Sequence, residues 1–203
     1  MEVIIDKQPY LSETLGDNLI DILSDLNEQA LGEDRVIGEV KINGQVYVLA
    51  DMGPAEDMSR EDIQTLEVDT IAARDMALHF LSNGPEYLRA IIASTEQVSE
   101  LFRVADEKDA NEQYVHTLES LQLFMQVLHS SREALGLDFA QIQVEGGAVE
   151  QRLERLSVLI QEMLSAQEQE DWVLLADILQ YDLGEELTGW GEVLPVLREQ
   201  AVS

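Results

Sequence analysis

No cysteine occurs in the chain, which excludes disulfides, a thiolate metal site and a cysteine nucleophile together. That absence agrees with a cytoplasmic protein, and a cytoplasmic location is the expectation. Basic residues are scarce: 12 Lys and Arg stand against 41 Asp and Glu, a formal net charge of -29. Only Lys7, Lys41 and Lys108 are lysines. A field of that sign argues against nucleic acid and anionic membranes as partners, because phosphate binding draws on Lys and Arg. Long apolar runs are missing as well. No stretch reaches the ~18 apolar residues of a membrane span. The opening MEVIIDKQPY has no basic segment ahead of an apolar one. A soluble protein with no membrane partner is expected.

What remains is enough to fold. A hydrophobic fraction of 45% with 26% charged residues is ordinary for a globular chain, and 203 residues bury a real core in one domain or two. Up to Thr70 there are 17 acids and 4 bases, and beyond it 24 and 8, so both parts are acidic. Three readings of the charge follow: a solvated surface, a surface for a basic partner or in mimicry of nucleic acid, and adaptation to a salty host.

Up to Thr70 the pattern mixes strands with one helix. Glu2 to Asp6 reads as a strand, Lys7-Gln8-Pro9 as a turn, and Tyr10-Leu11 as a second short extended piece. Leu15, Leu19, Leu23 and Leu26 recur at helical spacing, with Ser12 or Thr14 as cap and Gly32 as terminator. Arg35 to Lys41 and Gln45 to Asp51 are strand-like and joined by Asn43-Gly44, a dipeptide suited to a tight hairpin turn. Ser59 caps a single turn at Arg60 to Gln64, and Leu66 to Thr70 forms a last strand. This order resembles the β-grasp fold of ubiquitin-like domains, with a βαββ domain as the other arrangement. The chain does not end in the Gly-Gly tail of the sulfur carriers and modifiers of that class, so their chemistry is not implied.

From Ile71 the period is helical. One helix runs to about Ser82, and Asn83-Gly84-Pro85 is expected to break it. The next carries Leu88, Ile91, Thr95, Val98 and Phe102, with Leu101 alongside. A third carries Tyr114, Leu118, Leu121, Met125, Leu128 and Leu135, with a weak position at Arg132, and Gly136 closes it. Leu137 to Gly147 is too apolar for a free linker, so Phe139, Ile142 and Val144 are expected to plug one end of a bundle. Val149, Leu153, Leu156, Ile160 and Met163 stripe the following helix.

The segment Gln169 to Trp190 organises the rest: Trp172, Leu175, Leu179, Leu183, Leu187 and Trp190 fall on one side of a helix, widened by Leu174 and Ile178. Asp171, Asp177, Asp182, Glu185 and Glu186 lie largely on the other faces. A kink or break is expected near Gly189 to Gly191, ahead of a short helix at Val193 to Ala201. The fold class is therefore α+β: a β-grasp-like domain over residues 1–70, then an antiparallel bundle of four main helices over 71–203.

Chemistry is sparse. His79, His116 and His129 sit on predicted helices, and none makes the Glu-x-x-His pair of carboxylate-bridged di-metal bundles. Glu112, His116 and Glu119 are the nearest metal set, with spacing that shares a helical face. A solvated polar face explains them too. Asp106 to Glu112 lacks the central Gly and ligand register of a calcium loop, and its acids suit a helix start. Glu145-Gly146-Gly147 has no adjacent Lys to make a phosphate cradle and reads as a turn. No nucleophile elbow is present. Paired acids abound, and their abundance removes their diagnostic value.

Trp172 and Trp190, with Leu183 and Leu187, are the candidate partner-binding residues, since Trp is enriched at interface anchors. Trp190, flanked by two glycines, is expected to be the more exposed tryptophan. The segment MLSAQEQEDWVLLADILQYDL, and the acidic antiparallel helices around it, resemble the small bacterial export chaperones, particularly those of flagellar subunits. That resemblance implies an all-helical bundle holding an amphipathic helix of a client, without catalysis.

The reading is a non-catalytic interaction protein, adaptor or chaperone-like, needing no cofactor. It would bind a basic or amphipathic-helical protein partner through bundle surfaces. A homodimer is left open. The alternatives are a metal-dependent enzyme or enzyme subunit using Glu112, His116 and Glu119, and an acidic nucleic-acid mimic that binds a basic protein.

Overall fold

Val- and Ile-rich stretches near the N-terminus form strands because alternate side chains have a face to bury. In the computed structural model, which describes residues 1–11, 14–32, 34–47, 55, 58–104 and 107–203, these are β1 (Glu2–Ile5), β2 (Gln8–Tyr10), β3 (Arg35–Ile42), β4 (Gln45–Tyr47) and β5 (Thr65–Ala72). They make one mixed sheet in the order β2-β1-β5-β3-β4, with β1 parallel to β5 and the other pairs antiparallel. Helix α1 (Leu19–Gln29) buries Leu19, Ile22, Leu23 and Leu26 in one core with Val3, Val40, Leu66 and Val68. This is the β-grasp order, and the fold class is α+β. The chain divides into two compact units, Met1–Met76 and Ala77–Ser203.

Local chemistry sets the boundaries. The hairpin turn is Asn43-Gly44, both at positive φ, and the Asn43 carboxamide also accepts from Gln64 N (2.8 Å) and Thr65 N (3.1 Å). The β1–β2 turn falls at Asp6-Lys7, also at positive φ, so Gln8 and Pro9 lie in a strand and not in the expected turn. Helix α1 starts later than its leucine spacing implies. Asn18 is its cap, accepting from Asp21 N at 2.9 Å, and neither Thr14 nor Leu15 is helical. Ser12 and the end of the second hairpin strand at 48–51 lie outside the described residues. Ser59 accepts from Glu61 N and caps a single turn, Arg60–Asp62.

The second unit is an antiparallel bundle. Its arms are α2 (Ala73–Val104, counted from Ala77), α3 (Glu107–Leu135), α4 (Val149–Glu168) and a composite fourth arm: α5 (Trp172–Asp177), a π-helical segment (Ile178–Leu183) and α6 (Gly184–Val202). Opposed running directions show in the cross-links. Tyr87 donates to Ser120 O (3.0 Å) and Ser94 meets Thr117 (2.7 Å) between α2 and α3, while Arg103 donates to Asp177 (2.7 Å) from α2 to the fourth arm. A two-strand hairpin, β6 (Gln143–Val144) and β7 (Gly147–Ala148), joins α3 to α4. Phe139 ahead of it is fully buried, and Ile142 and Val144 pack against the core.

Three expectations about this unit need correction. Asn83-Gly84-Pro85 does not break α2, and Gly84 is a packing site, where a Cβ would lie 2.5 Å from Leu194 Cδ1. Pro85 withholds one helical N–H, at a cost of ~3 kcal/mol. Keeping Leu81, Leu88 and Ile91 on one buried stripe offsets it, at ~1.5–3 kcal/mol for each side chain. Likewise α6 continues through Gly189, Gly191 and Pro195; the irregularity lies upstream, in the π segment. On α3 the expected Tyr114, Leu121, Leu128 and Leu135 are buried, but Phe124 joins them fully buried, and Leu118 and Met125 are only partly so.

The Asp6 carboxylate accepts from Thr70 N (2.8 Å) and Thr70 Oγ1 (2.7 Å), with Arg35 3.6 Å away. The bonds from Thr70, then the nearby guanidinium, hold its pKa below the ordinary 3.8. A lowered folded pKa means that this tie contributes fully above 3.8 and is lost as pH falls from there through the folded value. Asp6→Asn should therefore lower the stability of the first unit at neutral pH and flatten its acid limb below pH 4, as measured by urea unfolding across pH. An unchanged acid limb would show that Asp6 carries no linkage.

Candidate functional site

The residues expected to anchor a partner do not form a surface. Leu183, Leu187 and Trp190 are fully buried in the bundle core. Trp190 meets Phe124 edge-on, with centroids 6.0 Å apart. The reason is helical continuity: with no break at Gly189, Trp190 stays on the stripe that includes Leu183 and Leu187. Trp172 is the half-buried tryptophan and stacks on Phe102, with centroids 5.3 Å apart and planes 4° from parallel. Leu174, expected to widen the buried stripe, is exposed beside Val173.

The candidate metal residues are only partly brought together. His116 Nδ1 lies 3.3 Å from Glu119 Oε2, whereas Glu112 turns to Lys108 at 3.7 Å. All three are exposed on α3, and among the described residues no three His, Asp or Glu side chains gather as a metal site. Tyr114 is buried with no hydrogen-bond partner for its hydroxyl among the described residues, and desolvation pushes its pKa up to about 12. It keeps its proton at neutral pH and offers no general base.

The feature that does gather charged groups was not among the expected sites. A groove of about 1010 Å³ lies between α4 and the fourth arm. Glu154 and Glu162 line it from α4, Asp182, Glu185, Glu186 and Glu192 from the fourth arm, and Glu145 from the β6–β7 turn. Val158 and Leu159 add an aliphatic strip.

Two arginines stand among these acids, one turn apart on α4. Arg152 donates through Nη1 to Glu186 Oε1 (3.3 Å) and through Nη2 to the Glu145 carbonyl (3.2 Å). Arg155 Nε is 3.6 Å from Glu186 Oε2. The Arg152 and Glu186 side chains are 14% and 11% exposed, and Arg155 is 44% exposed. Gly189, one turn after Glu186, makes the close approach possible, since a Cβ there would collide with Arg152 Nη1. The other six carboxylates of the groove form no ion pair among the described residues.

A sequence signal for this site existed. Arg152 and Arg155 share a helix face at i, i+3 in a region with only eight bases, and such clustering of a scarce residue carries more information than any pair of acids.

Residues 79–193 match the family described as a domain of unknown function, DUF8042. The chain belongs to that family. The match takes in α3, α4 and every residue lining the groove. Residues 2–71 match a second domain of unknown function, DUF8043. No curated protein and no solved structure matches the chain. No helix among the described residues is long and apolar enough to cross a membrane.

Breaking a largely buried ion pair from one side leaves the other charge poorly compensated. Arg152→Met should therefore destabilise the bundle by about 1–3 kcal/mol, less than for a pair with no second cation because Arg155 remains. Adding Glu186→Gln should restore part of the loss. Urea unfolding followed by tryptophan emission measures both. A double variant no more stable than the single one would show that the pair is not the source of the effect.

Proposed function

We propose that this chain is a non-catalytic protein-interaction factor, adaptor or chaperone-like, whose bundle receives a basic amphipathic helix of a partner protein between α4 and the fourth arm. The observation that carries the reading is the groove's charge: six carboxylates without an ion pair among the described residues, on both walls, beside an aliphatic strip. Electrostatic complementarity of this kind steers encounter and sets register, while leucines on the partner's other face would supply contact with Val158 and Leu159. Nucleic acid carries the wrong sign for such a surface. A second copy of the chain would bring like charge to the groove, which disfavours self-association there. A cytoplasmic setting goes with this reading, supported by the cysteine-free composition. The likeness to export chaperones supports the mode of binding, an amphipathic helix held by acidic helices.

The test is fluorescence anisotropy of a labelled helical peptide of Leu, Arg and Ala against the full chain, with a Leu, Glu and Ala peptide as control. Saturable binding of the basic peptide that weakens with salt is expected. Glu154→Gln, Glu162→Gln and Glu192→Gln together should weaken it about tenfold, whereas Glu86→Gln, Glu96→Gln and Glu100→Gln, which remove equal charge from α2, should change it less than about twofold. Equal losses from the two sets, or no saturable binding, would remove the groove as the site.

A further inference from the structure

Among the described residues Glu186 differs from the other acids of the groove in two ways: it is the one largely withdrawn from water, and it is the one that pairs with cations of its own chain. The two arginines on it are not equivalent. Arg152 is enclosed, hydrogen-bonded at both Nη atoms, and seated against Gly189. Arg155 is three times as exposed and stands at 3.6 Å on the other carboxylate oxygen, beyond hydrogen-bond distance. An exposed contact of that length contributes little to stability, whereas a withdrawn carboxylate needs a cation near it.

We infer that Glu186 is the central receptor for a cationic side chain of the partner, and that Arg155 is its internal competitor, occupying Oε2 until an incoming guanidinium or ammonium takes its place. This deepens the groove reading above and rests on it. The exchange swaps one cation for another on the same oxygen, so Glu186 is never left bare. Arg152 stays in place throughout and keeps the carboxylate oriented. The released Arg155 side chain remains in the groove, which Glu154 and Glu162 also line. Affinity for a basic helix is thereby held down by a contact inside the chain.

Removing any arginine from so acidic a protein favours a cation, so simple tightening proves nothing. The decisive measurement is a double-mutant cycle with the Leu, Arg and Ala peptide. Arg155→Gln should tighten binding about twofold to fivefold, the size of an exposed ion pair, and Arg198→Gln, the same charge change outside the groove, should tighten it less. Glu186→Gln alone should weaken binding, and in that background Arg155→Gln should no longer tighten it.

A second readout keeps the wild-type chain. In nitrogen-resolved NMR spectra, saturating peptide should move the Arg155 Nε–H resonance and leave that of Arg152 nearly unchanged. Additive effects across the cycle, or an unmoved Arg155 resonance with peptide bound, would overturn the competition while leaving the groove as binding site. No binding by the unaltered chain would sink the groove reading itself.

Discussion

Leu175, Leu179, Leu183 and Leu187 must all stay out of water if the fourth arm is to hold the other three helices together, and their spacing is awkward for an α-helix. Three successive steps of four outrun the 3.6-residue turn, so a regular helix would rotate the later leucines away from the core. Widening the backbone into a π segment at Ile178–Leu183 absorbs the surplus and returns Leu187, Trp190, Leu194 and Leu197 to the same buried side. The groove depends on this adjustment. Asp182 lies within the π segment, and Glu185, Glu186, Gly189 and Glu192 follow it, so their direction relative to α4 is set by where the widened turn falls.

The first unit was legible because its decisive signals are local. Asn43-Gly44 needs only its own dihedral preferences to make a hairpin, and the order of elements around it leads to the β-grasp sheet. The second unit was legible as four amphipathic stripes but not in its joints. Gly84-Pro85 and Gly189 to Gly191 look like breaks when read alone. Both stretches are helical, and the glycines at 84 and 189 answer to packing instead: distant residues, Leu194 in one case and Arg152 in the other, occupy the space that a side chain would fill. The π segment is written in the sequence as the run of four-residue steps, a signal weaker than the glycines that drew attention away from it. Trp190 was misplaced for the same reason: flanking glycines say nothing about exposure once the helix is continuous.

The groove was the least legible feature. Its acids are indistinguishable in sequence from the many others, and what sets them apart is which of them lack a cation in the fold. Charge balance decides this, not charge count. Arg152 and Arg155 are both spent on Glu186, so the walls around them remain strongly negative although the only bases of α4 lie within them. A surface can thus hold two of a protein's few arginines and still present the sign of its acids.

The placement of the two tryptophans carries a practical consequence. Both belong to the fourth arm, and the β-grasp unit has none. Its described aromatic residues are Tyr10 and Tyr47, so emission excited at the red edge of absorption comes from the bundle alone. Within that signal the two indoles occupy unlike environments, one sealed beside Phe124 and the other half-open on Phe102. Quenching by a polar solute should therefore be biphasic, reaching the stacked indole first and the sealed one only when the helices part.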